Sequence, residues 1–462
     1  MSLGAYYRDA PFHFLGSVNA IYRLQPTITV RTAVRHPRLR YVLRVVGDEL
    51  GYRFRFENDR SVFPAEAPQY LITYGGSGDR NLPAHPLLAG RAYDFSREEA
   101  DFREEADGEL SMCQTDEGPD LLAAVFFCLS RYEEYEPFAA DAHDRFPVTA
   151  SHASRFGYLH RPVVRVWIAA LGDRLRQWFP ELPAPQQQAL VFRPSYDIDL
   201  LWAYRFRGWR GLASGVRDAL TGNLRRSIAR FTGSPDRDPY QTLPFLTELH
   251  ETYGLHATYF WLVSDRSHPH DTNPFPLPAA QLEWMRRLEQ SSTTGLHPSY
   301  AASRDPELVG IEKARLEDCL KRPINRSRQH YLRLRIPETY RNLLRHGIRA
   351  DYTMGYGDGV GWRAGTNQPF PWYDLEKEKE TRLRLHPFAA MDVTLRNYLG
   401  FTAEEAERAV LSIYTAALPY GGPFMLLWHN SSFAPDYGWE DWKDMYVRLV
   451  ERLSGASADD TA

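Results

Sequence analysis

Cysteine is scarce: the 462 residues hold three, Cys113, Cys128 and Cys319. None forms a CxxC pair, which argues against a thiolate zinc site. A sparse, odd set also argues against a disulfide framework and fits a reducing compartment. An excess of charge of either sign is lacking too. Lys plus Arg number 55 and Asp plus Glu 59, a formal net charge of −4. Such a chain has no bulk attraction for nucleic acid or anionic membrane. The longest apolar run, residues 121–129, falls well short of the about 20 residues a spanning helix needs. The first residues lack the basic start and apolar stretch of a secretion signal. Together these absences lead to the expectation of a cytoplasmic chain without nucleic-acid or membrane partners. Three catalytic signatures are missing as well. The lack of GxSxG disfavours a serine esterase, of HExxH the common zinc peptidase helix, and of GK followed by Ser or Thr a phosphate-binding P-loop.

What is present is ordinary globular usage, 43% hydrophobic and 25% charged, with aromatics high at 13%. Large cores explain such an excess, and so do exposed rings that stack on sugars. The length favours two domains, with one large barrel plus an extension as the alternative. Residues 1–185 read as a smaller α/β domain. Leu39, Val42, Val46 and Leu50 recur at helical spacing before Gly51, Tyr52, Phe54 and Phe56 alternate as in a strand, and residues 70–74 form a second strand. Residues 121–135 and the series Val164, Ile168, Leu171, Leu175 and Trp178 read as helices. The stretch PELPAPQQQ, residues 180–188, has no periodicity and reads as a linker. Beyond it, residues 186–455 alternate strand and helix, which implies a parallel sheet or barrel, and residues 456–462 read as a disordered tail.

Several strands of this second part stop at an ionisable residue: Asp197 and Asp199, then His297, then Arg328 with His330, and finally His429. In parallel α/β folds the strand C-termini share one face, where active sites lie. Singly, each residue has an ordinary structural role open to it, as a turn, cap or core side chain. Jointly, two carboxylates, several imidazoles and an arginine suit metal-assisted hydrolysis. The glycine-rich residues 351–366 read as a long active-site loop whose Trp362 and Arg363 line a sugar pocket. Asp392, in MDVTL, reads as a helix N-cap rather than a ligand.

Five segments in this order resemble the polysaccharide deacetylase superfamily (carbohydrate esterase family four, the NodB homology domain). They are SYDID at 195–199, HATYF at 256–260, GLHPSY at 295–300, RQHYL at 328–332 and LLWHN at 426–430. The resemblance implies a distorted (β/α) barrel of the glycoside hydrolase/deacetylase type, preceded by an extra α/β domain. It implies metal-dependent removal of N-acetyl or other acyl groups from a sugar or glycan. Asp197 would be general base, His429 general acid, Arg328 the group orienting Asp197, and Asp199 and His297 metal ligands. Tyr300, in the histidine motif, joins Trp362 and Arg363 as an expected substrate contact. The metal would be zinc, with cobalt or manganese as alternatives. The chain departs from the family pattern at Ala301, where a second histidine is usual, at Ile198, which splits the aspartate pair, and at Gln329 and His330. His330, at the end of a neighbouring strand, is the candidate third ligand. Two rival functions remain: a non-catalytic carbohydrate-binding protein on a degenerate deacetylase fold, and a glycosidase pairing Asp197 with Asp392. Substrate identity, oligomeric state and the role of the first domain have no sequence signal.

Overall fold

The structure, a computed structural model, describes residues 25–57, 68–89, 101–104, 108, 110–206, 220, 235–265, 268–435 and 438–459. These fall into two compact units. One gathers described residues of 1–91, 103–126 and 167–186, the other those of 92–102, 127–166 and 187–462. Residues 127–166 thus group with the second unit although they precede the 180–188 stretch. The readings made on residues 1–24 and on 460–462 lie outside the described residues, and the last helix is described to Asp459. Among the described residues no helix is long and apolar enough to cross a membrane.

The first unit carries a parallel sheet ordered β2-β1-β3-β4. Its strands are β1 (Thr27–Arg31), β2 (Arg53–Phe56), β3 (Tyr70–Tyr74) and β4 (Asn81–Leu82). The expected helix spans Pro37–Leu50 and buries Leu39, Val42, Val46 and Leu50. A proline opens it, where no intrahelical N–H is needed, and Gly51 closes it at φ +73°. Two small sheets follow, β5 (Phe102–Glu104) with β6 (Leu110–Met112), and β7 (Gln114–Thr115) with β8 (Gly118–Pro119). The helix expected over 121–135 ends at Ser130, and the one expected from Val164 spans Val163–Trp178.

The second unit is built on a nine-stranded sheet. Its strands are β9 (Leu190–Ile198), β10 (Thr258–Trp261), β11 (Thr293–Leu296), β12 (Arg326–Ser327), β13 (Ala350–Asp351), β14 (Phe370–Asp374), β15 (Lys379–Leu385), β16 (Ala390–Met391) and β17 (Gly422–His429). They are ordered β14-β15-β13-β12-β11-β10-β9-β17-β16. Every pairing is parallel except β14 with β15. Strand β9 runs through Arg193 and Pro194 into the SYDID segment. The proline is tolerated because residues 190–194 pair only with β17, while β10 joins from Ser195 onward. Amphipathic helices alternate with the strands, among them Leu243–Thr252, Ala279–Leu288, Pro306–Leu320 and Ala403–Ala417. Strand β13, at the start of the glycine-rich segment, is only two residues long. Phe260, Leu332, Tyr352, Phe388, Met391, Met425 and Leu427 pack into a buried cluster.

Candidate metal centre and active site

The parallel sheet delivers its polar residues to one edge. Asp199, His297, Arg328 and Asp392 each directly follow a strand, and His429 is the last residue of β17. Register fixes neighbours: Asp197 lies opposite His429 on one side and Phe260 on the other. Asp197 and Asp199 lie two residues apart, a spacing that puts side chains of an extended chain on one face.

The candidate ligands converge. Asp199, His297 and His330 each offer an atom within 4.8 Å of the others. His297 Nε2 is 3.2 Å from Asp199 Oδ1, and His330 Nε2 is 3.6 Å from Asp199 Oδ2. Tetrahedral ligands at zinc bond lengths stand about 3.3 Å apart, close to the 3.2 Å between His297 Nε2 and Asp199 Oδ1. The chemistry of the donors fits a cation. His297 donates Nδ1–H to the Arg328 carbonyl at 2.6 Å, and His330 presents Nδ1 to Asp271 Oδ1 at 3.0 Å. Each bond turns the other ring nitrogen toward Asp199, the outer support that metal-binding imidazoles usually have. His297 Nε2 and Asp199 Oδ1 are buried and face each other at 3.2 Å without a well-aligned hydrogen bond, an arrangement that a cation between them would satisfy. Burial pushes the Asp199 carboxyl up, but the His330 charge, with His297 and His429, holds it well below the usual range. Burial pushes His330 down, and Asp199 and Asp271 outweigh it, raising the imidazole to about 9.

Asp197 is clamped from behind. Arg328, fully buried, donates Nη1–H to Asp197 Oδ1 at 2.9 Å, Nη2–H to Ser195 Oγ at 2.7 Å and Nε–H to the Tyr352 carbonyl at 3.0 Å. Its guanidinium lies 4.4 Å from the Phe260 ring centroid. Asp197 Oδ2 stays on the ligand side, 3.7 Å from His297 Nε2. His429 closes the cluster, with Nε2 3.8 Å from Asp199 Oδ2. Asp392 accepts the His429 backbone N–H at 2.7 Å and meets its Nδ1 at 2.8 Å. Burial pushes this imidazole down, but Asp392, Asp199 and Asp197 raise it to about 10. The edge therefore holds a carboxylate able to take a proton and an imidazolium able to give one.

Two expected substrate contacts are corrected. Trp362 and Arg363 are 1% and 2% exposed. Arg363 is spent on Glu134, through Nε at 2.8 Å and Nη2 at 2.5 Å, and on the Gly355 carbonyl at 2.9 Å. The loop is packed, so neither side chain presents a face to a sugar. Tyr300 is 6% exposed, its ring stacked on His268 with the Arg333 guanidinium 4.0 Å from its centroid, so it supports neighbouring rings. Asp392 is the fixed partner of His429 and also accepts from the Val393 N–H. Sequence reasoning missed Asp271, whose signal was the motif HPHD at residues 268–271. It also gave Ser195 no role.

Residues 28–180 match the model of a family of unknown function, DUF7033. No curated protein matches the chain. The chain is similar to a Mycobacterium smegmatis protein named as a candidate polysaccharide deacetylase, with 13% identity, a TM-score of 0.39, and coverage of 59% of this chain and 86% of that one. It is also similar to Agd3, described as a novel carbohydrate deacetylase, with 8% identity, a TM-score of 0.35, and coverage of 95% and 88%.

Proposed function

We propose that the chain is a metal-dependent hydrolase that removes N-acetyl or other acyl groups from a carbohydrate. The observation that supports this most is the convergence of Asp199, His297 and His330 within 4.8 Å beside an arginine-clamped Asp197 and a carboxylate-paired His429. In this reading those three side chains hold a divalent cation, zinc first, with cobalt or manganese as alternatives. When bound, it polarises an acyl carbonyl and makes water more acidic. Asp197, with Oδ1 fixed by Arg328, takes the proton of the attacking water at Oδ2. His429, kept charged at neutral pH by Asp392, gives a proton to the departing amine. The same reading takes the nine-stranded sheet as the wall of a distorted (β/α) barrel over residues 186–455, with the first compact unit, rather than all of residues 1–185, as an accessory domain. The pairing of Asp197 with Asp392 as glycosidase carboxylates is not favoured, because Asp392 is committed to His429.

The test is metal analysis of protein purified without chelator, followed by release of acetate from N-acetylated sugars. One divalent ion per chain, lost in His297→Ala together with acetate release, is expected. Wild-type protein that stays metal-free after dialysis against zinc, cobalt and manganese would remove the mechanism.

A further inference from the structure

A cavity of about 190 Å³ is lined by residues of the helices Pro306–Leu320 and Glu338–Arg345, together with Gln329. None of the candidate metal ligands, nor Asp197, Arg328 or His429, lines it. Liquid water takes about 30 Å³ per molecule, so the space holds about six waters or one small solute. Val309 and Leu343, 2% and 0% exposed, give it an apolar side.

Two amides on its wall have hydrogen-bonding capacity to spare. Gln329 is buried. Its backbone N–H goes to Thr353 Oγ1 at 3.1 Å, while its side-chain Nε2 is buried with no hydrogen-bond partner. Asn342 Nδ2–H donates to the Pro306 carbonyl at 3.2 Å. That bond fixes which way the amide faces and leaves Oδ1, also buried and without a partner, as an acceptor. Unmade buried hydrogen bonds are costly, and here a donor and an acceptor line the same small space.

Two exposed charges of opposite sign, Arg335 and Glu338, complete the lining. Thr339 fixes the Arg335 backbone: its Oγ1 accepts the Arg335 N–H at 3.0 Å, and its own N–H donates to the Arg335 carbonyl at 2.8 Å. The Arg335 guanidinium lies 4.9 Å from the Phe138 ring centroid, and its Nη1 is 3.6 Å from Asp144 Oδ1. An ion pair that long and half-exposed is weak and competes little with a ligand. A lone anion in the cavity would meet Glu338, a lone cation would meet Arg335, and a neutral polyol would answer neither charge. A zwitterion with a small apolar body answers all of them. Its carboxylate suits Arg335 and the Gln329 amide, its ammonium Glu338 and Asn342 Oδ1, and its side chain Val309 and Leu343.

We propose that this cavity is a binding site for a free aliphatic α-amino acid, separate from the candidate metal centre and independent of the carbohydrate reading. It gives a role to Gln329, one of the positions where the chain departs from the deacetylase pattern.

The experiment is calorimetric titration of the full chain with L-valine, N-acetyl-L-valine and L-valinamide, on metal-loaded protein and again after chelator treatment. Valine is expected to bind at one site per chain in both preparations. The analogue without the ammonium and the analogue without the carboxylate are each expected to bind at least tenfold more weakly. Glu338→Gln and Asn342→Leu are each expected to lose at least tenfold in valine affinity. Glu338 is exposed, so its variant guards against a fold defect at the asparagine, and the melting temperature of each variant without valine checks the fold. No binding of valine at millimolar concentration, equal binding of the blocked analogues, or unchanged affinity in Glu338→Gln would each overturn the proposal. So would binding that vanishes with the chelator, because valine would then sit on the cation rather than in this cavity.

Discussion

Asp271 and Asp392 occupy no candidate ligand position, yet each fixes an imidazole, and their substitution separates positioning from chemistry. Asp271→Asn leaves the His330 ring in place but removes the charge behind it. Metal affinity is expected to fall by about 10- to 100-fold, read by competition against a chromophoric chelator. Unchanged affinity would detach His330 from the metal. Asp392 raises His429 to about 10, so an imidazolium acid stays protonated until pH rises through that value, and activity fails on the alkaline side. Asp392→Asn removes the first of the charges holding the proton. The His429 pKa then falls, and the alkaline limb of the rate profile is expected to move toward neutral while the acid limb stays. A profile that keeps its alkaline limb would remove His429 as the acid. Asp197→Asn is expected to lower turnover by about a hundredfold or more with sugar affinity nearly intact.

Strands explain which of these residues were legible. Asp197, Asp199, His297 and His429 stand out because each falls at the C-terminal end of a strand-like pattern, and Arg328 because it opens the RQHYL segment; a parallel sheet then places them together. Asp271 sits in an irregular segment with no period, and its role follows only from His330, 59 residues away. Strand β15, KETRLRL, was not anticipated because it alternates cleanly only over its last residues. Arg363 misled because its burial depends on Glu134, 229 residues upstream, and Trp362 because its ring packs against Phe424, 5.7 Å away between centroids; no local pattern reports either. Strand β11 offers a test of how backbone supports the site. Gly295 lies opposite Phe260, and a Cβ there would stand 2.5 Å from the Phe260 ring. That ring supports the guanidinium that clamps Asp197. Gly295→Ala is expected to cost about 1–3 kcal/mol of stability and to lower turnover more than metal affinity. Unfolding titrations paired with metal binding measure both, and a variant as stable and active as wild type would deny Phe260 that role.

Across the whole molecule, stability against acid is a contest between buried groups of opposite sense. Burial raises Glu312 to about 7, and Asp120 and Asp351 to about 6. A carboxyl raised on folding binds its proton more readily in the native state, so these three favour the fold as pH falls through that range. His250 acts the other way. It is buried in the second unit, where its Nε2 meets the Tyr196 hydroxyl at 2.8 Å, and that hydroxyl meets Tyr446 at 2.6 Å. Burial first, then the His256 charge, lower it from 6.5 to about 4. A neutral Nε2 accepts from Tyr196; a protonated one must donate, and the phenol pair must turn. For a histidine lowered on folding, the stabilising contribution is complete above the unfolded value of 6.5 and is lost as pH falls toward 4. A shift of this size corresponds to about 3 kcal/mol. The melting curve of the wild type alone mixes both senses, so the difference against His250→Gln isolates one. The carboxyl groups are common to both proteins and cancel. Wild-type stability minus that of His250→Gln is expected to be flat above pH 7 and to fall by up to about 3 kcal/mol between pH 6.5 and 4. A difference that stays constant across that window would mean that His250 is protonated as readily in the folded chain as in the unfolded one, and that burial beside Tyr196 does not hold it neutral.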